Sequence, residues 1–166
     1  MSEHLLRPVE EKDREKIRQF IRQFWGSEKM VSRGHIHYPA EQPGFLMEKG
    51  EEVVGLVSYQ KRGPEIELTL IDSRERSQGL GTRLMAAVIA EAQRQNCSRL
   101  WLVTTNDNIR AIHFFQKRQF DLVKLHYDSM KISRKLKPGI PERGFANIPI
   151  RHELEFEWIG EDKLKN

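Results

Sequence analysis

A mixed α/β fold is predicted by a change of hydrophobic period along the chain. Residues 44–71 read as strands broken by short turns, residues 81–95 follow a helical period, and strand and helix then alternate to residue 125. Three consecutive strands joined by short turns imply an antiparallel meander. The alternation that follows implies strands lying parallel across a helix, so a mixed α/β fold with helices packed on its sheet is expected.

The elements follow in order. Residues 5–9 form a short opening strand, at an edge or a strand end because Pro8 cannot donate to a ladder. From Glu11 to Trp25 the apolar residues Ile17, Phe20, Ile21, Phe24 and Trp25 recur at helical spacing, and Gly26 ends the helix. The stretch from Ser27 to Pro43, with Gly34 and two prolines, has no clear period and reads as a connection with room for a little helix. Residues 44–48 and 53–59 make a hairpin, and residues 65–71 add a third strand. On that strand Ile66, Leu68 and Leu70 are expected on one face and Glu67 and Thr69 on the other.

Helix follows over residues 81–95, with Leu84, Val88 and Ala92 as its apolar stripe. A strand at 100–103, a helix at 108–118 and a strand at 120–125 come next. Residues 128–148 look like a long connection to a last strand near 150–158, and residues 161–166 are a charged tail.

The chain has 166 residues, 38% hydrophobic and 31% charged, which suits one compact domain over 1–166. No apolar run is long enough to span a bilayer, and the first residues lack the pattern of a secretory signal, so a cytoplasmic protein with no membrane partner is expected. Cys97 is the single cysteine, which excludes an internal disulfide and a multi-cysteine zinc site; it reads as a small buried filler. The net charge of +4 is scattered, and residues 131–137 read as the solvated face of a short helix, so no nucleic acid is expected. His35 and His37 alternate without a third ligand nearby; they are taken as surface residues, and no metal is expected.

The chemistry concentrates between Leu70 and Leu84: an apolar strand, then Asp72-Ser-Arg-Glu-Arg76-Ser77-Gln78-Gly79-Leu80-Gly81-Thr82, then a helix. A helix N-terminus presents unpaired N–H groups, and glycines there let an anion approach the backbone. A Walker A loop would need Gly-Lys followed by Ser or Thr, and a dinucleotide fingerprint would need a third glycine where Leu84 stands. What remains, Arg76-x-x-Gly79-x-Gly81, resembles the acetyl-CoA pyrophosphate turn of the GNAT superfamily. A second segment, Asn108-x-x-Ala111-x-x-Phe114-Phe115-x-x-x-Gln119-Phe120, is similar to that family's Asn-x-x-Ala-x-x-(apolar)-Tyr-x-x-x-Gly-Phe at matching spacing.

The resemblance covers about residues 5–125 and implies a GNAT-like central, mostly antiparallel sheet with a parallel pair at the cofactor site, flanked by helices. It also implies acetyl-CoA as acyl donor and an N-acetyltransferase acting on an amine of a small molecule or peptide. By it, the main chain of Leu70, Ile71 and Asp72 pairs with the pantetheine arm. Arg76, Ser77, Gln78, Gly79, Leu80, Gly81 and Thr82 hold the pyrophosphate, and Asn108, Ala111 and Phe115 complete the cofactor contacts. Phe115 stands where the family commonly has a Tyr that protonates the departing thiolate, so that role is vacant or displaced, with Tyr127 the candidate replacement. Gln119 replaces the family's glycine, and a glutamine can adopt a left-handed turn there only at some cost.

The family often uses a strand Glu as base, which makes Glu67 the best candidate and Glu65, two residues away on the same face, the alternative. Against catalysis stand two other readings: a silent CoA-binding regulatory module, favoured by Phe115, and a basic nucleic-acid-associated protein, favoured by charge alone. The acceptor is not written in the motifs. Dimers are common in the family, so a homodimer is an expectation.

Overall fold

The computed structural model describes residues 3–76 and 78–160. Its elements are β1 (His4–Pro8), α1 (Arg14–Trp25), β2 (Met30–Ser32), β3 (His35–His37), β4 (Gly44–Lys49), β5 (Glu52–Arg62), β6 (Glu65–Ser73), α2 (Leu80–Arg94), β7 (Arg99–Thr105), α3 (Ile109–Gln116), β8 (Phe120–His126), α4 (Met130–Leu136) and β9 (Glu153–Trp158). The class is mixed α/β, as expected. The chain forms two compact units, Met1–Met30 with Tyr38–Leu100, and Val31–His37 with Trp101–Asn166.

In the first unit β1, β4, β5 and β6 lie in that order, and all three pairings are antiparallel. α1 ends at Gly26, whose φ of 69° caps the helix in the left-handed region. Its buried stripe, Ile17, Phe20 and Ile21, packs with Ala40, Leu46, Val53, Leu56 and Leu70 in one cluster. α2 covers the opposite face of the sheet, where a Cβ on Gly55 would lie 3.1 Å from Leu84 Cδ1.

One expectation about this sheet is corrected. Ser58 faces Leu70 but Tyr59 faces Leu68, so the register slips by one residue and Thr69 is left over as a bulge. Because side chains alternate with period two, the extra residue moves Leu70 from the face of Ile66 and Leu68 to the face of Glu67, the side on which α1 packs. Apolar alternation alone does not show a bulge.

At the start of α1 the Arg7 guanidinium donates to both Asp13 oxygens, at 2.7 and 2.8 Å, and to both Glu48 oxygens, at 2.8 and 3.1 Å. Asp13, 2% exposed, also accepts the Glu10 N–H at 2.7 Å. These bonds, Arg7 foremost, hold the Asp13 pKa down at about 2. A depressed carboxylate pKa stabilises the fold above the unfolded value and loses that stabilisation as pH falls through the folded value. Asp13→Asn is therefore expected to cost about 2 kcal/mol at pH 7, and the gap in Tm from the parent should close between about pH 4 and pH 2. A pH-independent gap would assign the loss to packing.

In the second unit β7, β9 and β8 lie in that order, again antiparallel. One face carries Phe120 and Phe156, which pack on Phe115 of α3 at centroid distances of 5.8 and 6.1 Å. The other face is polar although buried: Glu153 and Glu155 are 2% and 5% exposed. Buried carboxylates need partners. Glu153 accepts the Arg33 N–H at 2.9 Å and the Ser133 hydroxyl at 3.3 Å, while Glu155 lies 3.0 Å from His126 Nε2 and 3.6 Å from the Arg33 guanidinium. Arg33 also stacks over Trp101 at 5.2 Å.

Arg33 is the tip of a hairpin that was expected to be an irregular connection. β2 and β3 pair around Arg33 and Gly34, with φ of 50° and 76°. Two left-handed residues make the hairpin turn that Asn-Gly usually signals, and here distant carboxylates hold an arginine in it. His37, expected at the surface, is 3% exposed, and its Nε2 lies 3.0 Å from the Ser32 hydroxyl. The connection expected after residue 128 contains α4, on which Lys131 and Lys135 are exposed while Met130 and Ser133 are buried. Cys97 is only partly buried.

Candidate functional site

In the first unit β6 runs into a turn and then into α2, as the sequence implies. Gly79 is the N-cap of α2, with φ 72° and ψ 11°, and a Cβ placed on it would meet nothing within 4 Å. The helix thus opens on a left-handed glycine with open space before its first N–H groups, an arrangement that accepts an anion. Arg76, Gln78, Gly79 and Thr82 are exposed, Gly81 is half-buried, and Leu80 is 1% exposed, so its side chain belongs to the core. Ser77, assigned to the same turn, lies outside the described residues.

Side chains tie the turn down on both sides. Arg74 stacks on Phe20 and Phe24 at 5.2 and 5.3 Å and pairs with Glu52, while Glu75 binds His4 at 2.6 Å and Lys49 at 3.0 Å. Arg74 and Glu75 are thereby engaged with the scaffold, and Arg76 is the exposed cation of the turn.

Upstream, Leu70 is 5% exposed and Ile71 and Asp72 are half-buried. Burial pushes the Asp72 carboxyl above its ordinary range, opposed by bonds from the Ser73 N–H and the Trp25 indole and by the Arg76 charge. Glu67 lies on the same face of β6 as Leu70 and Asp72, and at 4% exposure it is a buried carboxylate rather than a solvated one. Glu65 is far more open and lies 3.5 Å from Arg99. The sequence did not single out Gln42, Ser58 or Thr69, which are hydrogen-bonded to one another beside the bulge; nothing in their spacing announces it.

In the second unit Asn108 caps α3. Its Oδ1 accepts the Ala111 N–H at 3.4 Å and its Nδ2 donates to Thr104 Oγ1 at 3.1 Å. Gln119 adopts φ 69°, the left-handed turn the motif demands.

The acetyltransferase (GNAT) family model matches residues 7–120, more than half of the chain and both motif segments. This chain belongs to the GNAT acetyltransferase family. It is 33% identical over 141 residues to the protein YdhI of Bacillus subtilis (strain 168), covering 84% of this chain and 88% of that one. In fold it is similar to an IAA acetyltransferase from Bacillus cereus ATCC 14579, at TM-score 0.73 and 16% identity over 94% of this chain and 99% of that one. It is also similar to a Bacillus subtilis acetyltransferase in complex with CoA, at TM-score 0.67 and 15% identity over 96% of this chain and the whole of the other. The GNAT fold is thereby shown, and acetyl transfer is the general activity that membership carries.

Against the GNAT motif, Phe115 stands in the tyrosine position. It is 4% exposed inside the aromatic cluster with Phe114, Phe120 and Phe156, so a phenol there would need a buried partner. Tyr127 is the opposite case. It is 69% exposed, stacked on His152 at 4.7 Å, with its hydroxyl 3.5 Å from the Arg151 guanidinium. Among the described residues no three His, Cys, Asp or Glu side chains gather to hold a metal ion, and no helix is long and apolar enough to cross a membrane.

Proposed function

We propose that this GNAT protein moves an acetyl group directly from acetyl-CoA to an amine of a small molecule or peptide. The observation that carries this reading is the open, glycine-capped N-terminus of α2 immediately after the bulged strand β6. In this reading the pyrophosphate takes the first N–H groups of α2 with Arg76 beside it, and the pantetheine arm pairs with the main chain of residues 70–72. Asn108 and Ala111 are kept as cofactor contacts on the resemblance of the second motif. The similar Bacillus subtilis acetyltransferase with CoA bound supports the choice of donor.

Glu67 takes a proton from the ammonium form of the acceptor, through water. The neutral amine attacks the thioester carbon, the carbonyl oxygen gathers charge against backbone N–H groups of β6, and the C–S bond breaks to release CoA thiolate. Tyr127 returns a proton to that thiolate and is reprotonated through water by the proton that the acylated nitrogen sheds as the amide forms. Tyr127→Phe is then expected to lower kcat by about tenfold with CoA affinity unchanged. Equal kinetics would assign Tyr127 to its stack on His152.

The reading is tested by free-thiol release from acetyl-CoA over polyamines, aminoglycosides, amino acids and N-terminal peptides. Thiol release stimulated by at least one amine supports an enzyme. Thermal stabilisation by CoA with no stimulation by any amine would instead support the silent module that Phe115 favours.

A further inference from the structure

The bulge in β6 is held by side chains rather than by its own ladder. Thr69 is skipped in the backbone register with β5, and its hydroxyl donates to Gln42 Oε1 at 2.5 Å. Its oxygen lies 3.2 Å from Ser58 Oγ; with the Thr69 proton committed to Gln42, Ser58 is the donor in that contact. Ser58 is 1% exposed, so water does not compete for its hydroxyl.

The segment that carries Gln42 is itself fastened to the scaffold. Arg14 of α1 donates to the carbonyls of Ala40 and Gln42 at 3.0 and 2.7 Å, and the Tyr59 N–H donates to Pro43 O at 3.0 Å. Gly44 approaches β5 so closely that a Cβ would lie 2.0 Å from Val57 O. Residues 40–44 are therefore fastened to α1 and β5, and the Gln42 side chain reaches from that fixed segment to the bulge.

A bulge turns a peptide out of the regular ladder and re-aims its polar groups. A backbone N–H polarises a reacting carbonyl only if its direction is set before the reaction begins. Thr69 lies between Glu67 and Leu70, the residues to which proton removal and donor binding are assigned above. We infer that the Gln42–Thr69–Ser58 chain sets the direction of the bulge N–H groups toward the acetyl carbonyl, making Gln42 and Thr69 positioning residues for the transfer. The inference rests on the acetyl-transfer reading above.

Thr69→Val keeps the branched shape and removes the hydroxyl, Gln42→Met removes the acceptor, and Thr69→Ser keeps the hydroxyl. With acetyl-CoA and the best amine of the panel, Thr69→Val and Gln42→Met are each expected to lower kcat roughly tenfold, less than loss of a whole oxyanion donor. KM for acetyl-CoA should stay within about twofold of the parent, and Thr69→Ser should recover most of the turnover. Because the two groups act as one unit, the double variant should fall no further than either single. Parent-like kcat in a folded Thr69→Val, a loss shared by Thr69→Ser, or multiplying losses in the double variant would overturn the inference; if Thr69→Val does not fold, Gln42→Met decides by the same criterion. A parent protein that transfers acetyl to no amine would instead overturn the reading beneath it, and the inference with it.

Discussion

Gly81→Val is expected to abolish thermal stabilisation by CoA while leaving the protein folded. Gly81 is the second residue of α2, half-buried, in the first helical turn where N–H groups lack intrahelical partners. A branched side chain there crowds the approach of a pyrophosphate to those groups. Within the helix it is tolerated, since valine has a higher helix propensity than glycine. Loss of the anion contacts should weaken CoA binding at least a hundredfold, or about 3 kcal/mol. Gly79 would be a poorer test position, because φ of 72° strains any side chain and confounds binding with folding. Unchanged CoA affinity in a folded Gly81→Val protein would remove the turn from the donor site.

Glu67→Gln is expected to give the largest loss of turnover. The substitution keeps shape and most hydrogen-bonding capacity in a site only 4% exposed and removes basicity. An alkylamine is largely protonated at neutral pH, and general-base help with that proton is worth roughly a hundredfold. Turnover should therefore fall about that much, most severely at low pH, with the acidic limb of the rate profile flattened and acetyl-CoA binding unaltered. Glu65, on the same face but open to solvent and 3.5 Å from Arg99, should lose little as Glu65→Gln. A parent-like pH profile in Glu67→Gln, with an altered one in Glu65→Gln, would transfer the role to Glu65.

Local chemistry made much of this protein legible in its sequence. The strand-turn-helix around Gly79 and Gly81 was visible because a left-handed cap and a helix start leave glycines at fixed places, and φ of 72° at Gly79 is that cap. Gln119 departs from the motif's glycine yet adopts the left-handed turn, at φ 69°, that glycine would take more cheaply. What stayed hidden depends on partners distant in sequence. The hairpin at Arg33 is held by Glu153 and Glu155, and Arg33 is 120 residues from Glu153, so no window around residue 33 reveals it. The bulge at Thr69 is equally hidden: Ile66, Leu68 and Leu70 alternate as in a regular strand, and only pairing with β5 shows the extra residue. Burial of Glu67 and His37 and exposure of Tyr127 follow from tertiary packing, which residue type alone predicts poorly for polar and amphipathic side chains.

The most direct measurement is label transfer. Acetyl-CoA carrying isotope in its acetyl group is incubated with the protein and the amine that most stimulates thiol release, and the products are separated. Direct transfer predicts label recovered in the acetylated amine in equal amount to the free CoA formed, with both lost together in Glu67→Gln. Label recovered only as acetate, or CoA released without a labelled amine, would contradict transfer to an amine.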